Sequence, residues 1–113
     1  MNYHAHIYWT DQISRAMAIG MREHLDELGC TLGPIRDRPV GPHALPMYQA
    51  EYHDLIQPDV EAFLSENADG ISILLHEDTG QHLADHTTGA RWIGIPLALD
   101  IDLLRRLDAG EDE

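Results

Sequence analysis

The sequence predicts an α+β sandwich with the element order βαββαβ and a C-terminal extension. Two short segments of alternating polarity, and helical periodicity after the first and third predicted strands, indicate this order. A length of 113 residues suits one domain with one core. This pattern is typical of the ferredoxin-like fold, in which two helices cover one face of an antiparallel sheet of strand order 4-1-3-2. We therefore expect a single domain over residues 1–113 whose first strand is central.

The first predicted strand covers residues 3–9, where YHAHIYW alternates and is rich in aromatic residues. Because side chains two positions apart share a face of a strand, His4, His6 and Tyr8 should lie opposite Ile7 and Trp9. The face with Ile7 and Trp9 is typical of a core. The other face carries a His-x-His pair that could bind a metal, and a solvent-exposed polar face is the alternative interpretation.

An apolar stripe predicts the first helix, which Thr10 or Asp11 would cap and which would run to Leu28. Gly29 would end it. A second strand is predicted over residues 31–38, with a bend at its start where glycine precedes proline.

Residues 39–46 should form a stiff loop, because three prolines in RPVGPHALP fix φ. The loop would hold His43 at a defined place, although a rigid surface loop with an incidental histidine is equally consistent. The third strand is predicted over residues 47–53. It sets Gln49 and Glu51 on one face, where they could complete a polar site or face solvent.

The second half begins with a predicted helix over residues 54–67, in which Pro58 is tolerated only in the first turn. A fourth strand is predicted over residues 71–75. Its odd-numbered residues suit the core, whereas Leu74 and His76 point to the opposite face.

A histidine-rich segment follows the fourth strand and lacks the apolar periodicity of a core element. A helix over residues 79–87 would place His82 and His86 at i and i+4, a spacing compatible with a metal. A brief strand over 91–95 and a helix over 101–107 should follow, with an acidic, frayed end at 108–113.

The C-terminal segment is expected to fold back over the open face of the sheet, near the histidines, and so form a cleft. The open face would also carry apolar Met47 and Leu74. Exposed apolar surface of this kind favours association, so we expect a homodimer.

Composition limits the partners. The formal charge is −13, with 20 acidic and 7 basic residues. The negative electrostatic field of such a chain repels nucleic acid and anionic lipid. No apolar run approaches the ~20 residues needed to span a bilayer. The single Cys30 cannot form an internal disulfide, and no secretory leader pattern opens the chain, so we expect a cytoplasmic protein.

Three motifs occur in the sequence in this order: YHAHIYW, DRPVGPHALPMYQAEY and LLHEDTGQHLADHTTGARWIG. In this order they resemble the signatures of the DOPA 4,5-dioxygenase family, and they cover nearly the whole chain. The resemblance implies a ferredoxin-like fold and extradiol ring cleavage with non-haem Fe(II) and O2. The family's recurring histidines fall on His6, His43, His76 and His86, whereas His82 and Ala44 depart from its pattern.

The resemblance thus implies oxidative ring opening of a small aromatic diol, such as DOPA or a related catechol. We expect His6 and His86 to be metal ligands, with His43 or His76 as the third ligand and the other as acid/base. Glu51 is the candidate carboxylate. The remaining predicted substrate-binding residues are Tyr8, Arg38 and Gln49, with Arg38 pairing with a substrate carboxylate.

Besides a purely structural dimer with its histidines on the surface, two alternatives remain. The histidines could hold Zn²⁺, which could also replace iron in a purified sample, in a non-catalytic metal- or ligand-binding dimer. A cofactor-independent monooxygenase of small aromatics is the other, because ferredoxin-like dimers also house such enzymes.

Overall fold

The computed structural model describes residues 1–110, within which the chain forms five strands and five helices in an α+β arrangement. The predicted class is confirmed. The strands are β1 (Asn2–Tyr8), β2 (Thr31–Leu32), β3 (Met47–His53), β4 (Ser72–Glu77) and β5 (Arg91–Ile93). The helices are α1 (Gln12–Gly20), α2 (Arg22–Leu28), α3 (Gln57–Glu66), α4 (His82–His86) and α5 (Ile101–Asp108). No helix in the described part of the chain has the length and apolar character needed to cross a membrane.

The sheet of the described residues is antiparallel and open, with the order β2-β3-β1-β4-β5. The four-stranded order 4-1-3-2 is not matched exactly, because β5 pairs with the outer edge of β4 and makes a fifth strand. Strand β1 is central between β3 and β4, as predicted. Its register sets His6 opposite Gln49 on one side and Leu74 on the other.

The predicted first helix is divided into α1 and α2. Asp11 caps α1 as expected, because its carboxylate accepts a hydrogen bond from the Ser14 backbone N–H at 2.8 Å. Helix α1 ends at Gly20, a residue type that weakens helix interiors. The next N–H, of Met21, donates to the carbonyl of Ala18 at 3.3 Å, one position short of the α-helical pattern.

Two other boundaries differ from the prediction because of proline. Strand β2 has two residues instead of eight, since Pro34 offers no N–H and pairing returns only at the bridge between Arg36 and Met47. Helix α3 begins at Gln57 instead of residue 54, which places Pro58 in the first turn where its missing N–H costs nothing.

Helices α1, α2 and α3 cover one face of the sheet and enclose the main core. The predicted inward-facing residues of the first, third and fourth strands are buried there, except Tyr3, which is partly buried. The core residues from strands are Ala5, Ile7, Tyr48, Ala50, Tyr52, Ile73 and Leu75, and those from helices include Ala18, Leu25, Val60 and Leu64.

The C-terminal segment covers the other face, as the sequence predicted. It buries Met47 and Leu74 beneath side chains that include Trp92 and Leu97. The apolar surface that suggested a homodimer is therefore covered within the chain, and the homodimer stays a prediction without that support.

Residue 108 corrects the expected frayed end. Asp108 is the last residue of α5, and its carboxylate accepts hydrogen bonds from the N–H groups of His82 and Leu83 at 2.6 and 3.0 Å. These bonds satisfy free donors at the start of α4 and fix the two helices to each other. Residues 111–113 of the predicted acidic end lie outside the described part.

Candidate active site

Four histidine rings meet on the face of the sheet opposite helices α1–α3. His6 comes from β1, His76 from β4, His86 from the end of α4 and His43 from the proline-rich loop. The ring centroids of His6 and His43 are 4.4 Å apart, and those of His76 and His86 are 4.5 Å apart. The structure thus brings together all four histidines that the sequence singled out as candidate ligands.

His6 lies at the centre of this group and is nearly inaccessible, with 4% of its surface exposed. Its Nε2 is 3.0 Å from the Nε2 of His76. Its Nδ1 is buried and has no hydrogen-bond partner among residues 1–110. A buried nitrogen without a partner costs free energy, so this atom marks a place where a ligand is expected.

Backbone carbonyls orient two of the rings. The Nδ1 of His76 is 2.9 Å from the carbonyl of Glu77, and the Nδ1 of His86 is 2.7 Å from the carbonyl of His82. A carbonyl can only accept, so each Nδ1 carries the hydrogen and each Nε2 of a neutral ring carries a lone pair. Such an outer hydrogen bond is typical of a histidine that ligates a metal.

A tyrosine orients the fourth ring. The hydroxyl of Tyr8 lies 2.7 Å from the Nδ1 of His43. Burial raises the pKa of Tyr8, so the hydroxyl keeps its hydrogen, and His43 is its sole hydrogen-bond partner within residues 1–110. A phenol hydroxyl can donate to a ring nitrogen or accept from it, so Tyr8 fixes the orientation of His43 in either neutral tautomer.

All four rings are neutral at pH 7. Burial, followed by repulsion among the rings, lowers the pKa of His43 to about 4 and that of His6 well below its usual range. Burial also lowers the pKa of His76 to about 4 and shifts that of His86 downward. A metal therefore needs to displace no proton to reach the Nε2 of His76 or His86.

Glu51, the predicted carboxylate of the site, belongs to a neighbouring cluster. Its Oε2 is 3.1 Å from the Nε2 of His4, which is also 3.6 Å from a carboxylate oxygen of Asp78. The ring of His4 lies 5.2 Å from that of His76. The strand period placed His4 and His6 on one face correctly, but it could not show that His4 pairs with acids.

The other predicted substrate-binding residues lie in three different parts of the structure. Gln49 lines the cavity beside the four rings, as predicted. Tyr8 is fully buried behind His43 and acts on that ring instead. Arg38 is exposed and lines a different groove, formed by residues 35–38 and Val40, because β2 ends before it could carry this side chain to the sheet.

The cavity has a volume of about 240 Å³. Besides the histidines, it is lined by side chains for which the sequence predicted no role in the site: Pro42, Asp78, Asp85, Leu104 and Leu107. Asp85 is buried, and its carboxylate accepts hydrogen bonds from the backbone and the hydroxyl of Thr79. The two leucines come from α5 and were predictable only as helix residues, since nothing in their spacing shows which face of the sheet they meet.

Two comparisons with known proteins found a match to this chain. Residues 3–103 match the profile of the Dopa 4,5-dioxygenase family. A crystal structure of a candidate dioxygenase from Nostoc punctiforme is similar to this chain, with a TM-score of 0.88 and 38% sequence identity. The similarity covers 94% of this chain and 92% of that one. No curated protein matches the chain.

Proposed function

The chain belongs to the Dopa 4,5-dioxygenase family, and on this basis we propose that it is a non-haem Fe(II) enzyme that opens a catechol ring beside the diol with O2. The observation that carries the proposal is the meeting of four neutral imidazoles in one cavity, three of them buried and that of His86 half-buried. Stability alone does not favour such a cluster, because burying polar rings costs free energy unless they are fully hydrogen-bonded.

The donor set fits a divalent transition metal. Imidazole suits Fe(II) and Zn²⁺ alike, and the buried Nδ1 of His6, which has no hydrogen-bond partner among residues 1–110, supports a ligand in this cluster. Glu51 is engaged with His4, so the ligand set that we propose consists of histidines. Zn²⁺ could occupy the same set in a purified sample.

Hydrogen bonding supports one division of roles among the four rings. We assign His6, His76 and His86 as ligands, because carbonyls hold His76 and His86 with Nε2 free. His43 is then the acid/base, since the Tyr8 hydroxyl holds its Nδ1 and can either donate to it or accept from it. The rival assignment makes His43 the third ligand, because nitrogens of His6, His43 and His86 lie within 4.8 Å of one another.

Bound Fe(II) would supply a Lewis acid for the diol oxygens and a place to activate O2. The residues of the chain would bind and orient the substrate and move its protons. His43 would accept a proton at Nε2 from one catechol hydroxyl, with its Nδ1–H donating to the oxygen of Tyr8, and would return that proton to the ring-opened product. Gln49 would hydrogen-bond to a hydroxyl, while Leu104 and Leu107 exclude water and contact the ring.

Reconstitution with Fe(II) under anaerobic conditions, followed by air and a panel of catechols, tests the proposal. We expect a yellow ring-opened semialdehyde and one O2 consumed per product. His43→Gln should retain iron and lose turnover, whereas His76→Gln should lose iron. The reverse result for the two variants would establish the rival assignment of ligands.

Two outcomes would contradict the proposed function itself. Iron binding without product across the panel would indicate a non-catalytic metal-binding protein. Oxygen consumption that survives a strong chelator would indicate a cofactor-independent monooxygenase.

A further inference from the structure

We propose that Asp85 supplies the counter-charge of the metal site, so that its buried carboxylate sets the affinity of the histidine cavity for a divalent cation. The inference rests on the proposed function for the presence of a metal. It assigns a role to a residue outside the proposed ligand set, and it does not depend on which substrate the protein takes.

The proposed ligand set carries no charge of its own. A histidine ligates a metal as a neutral imidazole, so a divalent cation would bring two positive charges that the rings do not balance. Charge in a cavity removed from water costs free energy unless an opposite charge lies nearby. The cavity therefore needs an acidic group, and two aspartates line it, Asp78 and Asp85.

Asp85 is the buried one of the two. It is 5% exposed, whereas the side chain of Asp78 is 43% exposed. Water and salt weaken the field of an exposed charge much more than that of a buried charge. Asp78 also lies 3.6 Å from the ring of His4, which is not one of the four clustered histidines. The negative field in the cavity should therefore come mainly from Asp85.

The hydrogen bonds of Asp85 do not neutralise its charge. Its carboxylate accepts from the backbone N–H of Thr79 at 2.9 Å and from the hydroxyl of the same residue. Both of these donors, its hydrogen-bond partners within residues 1–110, are neutral. A buried carboxylate with neutral partners is costly for the fold, and a cation in the same cavity would offset that cost.

The sequence places this charge beside the ligands. Asp85 precedes His86 in α4, and both residues line the cavity together with His76. Burial lowers the pKa of both rings, and the charge of Asp85 opposes that effect at each of them. The same cavity contains the buried Nδ1 of His6, which has no hydrogen-bond partner in the described part of the chain. The carboxylate and the unpartnered nitrogen thus point independently to a bound cation.

Metal affinity tests the inference without any turnover. Zn²⁺ and Cu⁺ are suitable probes for anaerobic competition titrations, because imidazole binds both ions and they differ in charge. Coulomb energy scales with the charge of the ion. Asp85→Asn should therefore lower the affinity for Zn²⁺ by about 100-fold and the affinity for Cu⁺ by only about tenfold.

Two control variants separate the charge from other effects of the substitution. Thr79→Val removes the hydroxyl that holds Asp85 but keeps the carboxylate, so the ratio of Zn²⁺ to Cu⁺ affinity should stay at the wild-type value. Asp59→Asn removes the same charge from an exposed position on α3, on the opposite side of the sheet, and should change neither affinity. Urea denaturation checks that each variant is folded. If Asp85→Asn is unfolded, Asp85→Ser replaces it, with the same expected result, because its hydroxyl can still accept from Thr79.

The outcomes distinguish this inference from the proposed function. A loss of Cu⁺ affinity equal to or greater than that of Zn²⁺ would indicate that Asp85 only holds α4 in place. That result, or unchanged affinities, would overturn the counter-charge while catechol cleavage by the iron-loaded wild type stands. A loss that is larger for Zn²⁺, in a protein that cleaves no catechol, would overturn ring cleavage while the counter-charge stands. A wild type that binds neither ion would overturn both.

Discussion

Both faces of the central strand carry buried side chains, but those on one face are apolar and those on the other include histidine. On one face Ile7 is 0% exposed and packs in the apolar core beneath α1–α3. On the other face the neighbouring residue, His6, is 4% exposed and has a ring nitrogen with no hydrogen-bond partner in the described part of the chain. Burial stabilises the fold at Ile7 and costs free energy at His6.

The burial of the histidine face explains the protonation state of its rings. Removing the rings from water is the main cause of their lowered pKa, and it keeps them neutral at pH 7. The apolar core on the opposite face supplies the stability that offsets this cost. The comparison therefore predicts that changes on the core face affect folding, and changes on the histidine face affect metal binding and turnover.

Lowering the pH should have the largest effect, and it acts on the histidine face. The unfolded chain takes up protons near the ordinary histidine pKa of ~6.5, whereas folded His43 and His76 do so only at about 4. The free energy of unfolding of the metal-free protein should therefore fall between pH 6.5 and pH 4, by about 3 kcal/mol for each ring. Urea titrations at several pH values measure it, and a flat profile would contradict the lowered pKa values.

The double variant His43→Gln/His76→Gln is the control for the pH profile. It removes both titrating rings, so the slope between pH 6.5 and pH 4 should become shallower. An unchanged slope would assign the pH dependence to other groups.

Ile7→Ala tests the core face. It leaves a cavity among buried side chains, and the free energy of unfolding should fall by about 2–5 kcal/mol. Iron affinity of the remaining folded protein should stay within a few-fold of the wild type. Chemical denaturation and anaerobic metal titration give both numbers, and a large loss of iron affinity would break the separation between the faces.

His6→Ala tests the histidine face one residue away. Iron affinity should fall by at least about 100-fold, since even outer hydrogen-bond partners of ligands are worth 10–100-fold. Stability should change by less than about 1 kcal/mol, because the substitution removes an unpartnered buried nitrogen together with the packing of the ring. Unchanged iron affinity would remove His6 from the ligand set.

Tyr8→Phe tests the role of His43 within the histidine face. Without the hydroxyl, His43 loses its orienting hydrogen bond, and turnover should fall by about tenfold while bound iron is retained. Loss of iron in this variant would indicate that His43 is a ligand. Metal analysis beside steady-state kinetics distinguishes the two results.

Alternation in the sequence was sufficient to predict the strands that carry the site. The pattern of residues 3–9 placed His6 opposite the core, and strand β3 has the predicted bounds. The proline-rich loop was predicted to hold His43 firmly, and the structure places this ring against His6. These features are local, so the alternation of polar and apolar residues and the proline content of the sequence are enough to predict them.

Features that depend on contacts between distant segments were not predictable. The sequence could not show that Tyr8 bonds to His43 or that Glu51 pairs with His4, because both contacts depend on the register and on the path of a loop. Arg38 was assigned to the site because residues 31–38 were predicted to be one strand, and Pro34 ends that strand early. A brief strand over 91–95 was predicted and β5 confirms it, but its sequence alone could not show that it pairs with β4.

The central claim is that the four imidazoles on one face of the sheet form one metal site. A crystal grown anaerobically with Fe(II) and measured at the iron absorption edge tests it most directly. We expect one anomalous peak per chain in the histidine cavity, bonded to His6 and His86. A cavity without a peak, or iron bound only at the cluster of His4, Glu51 and Asp78, would contradict it.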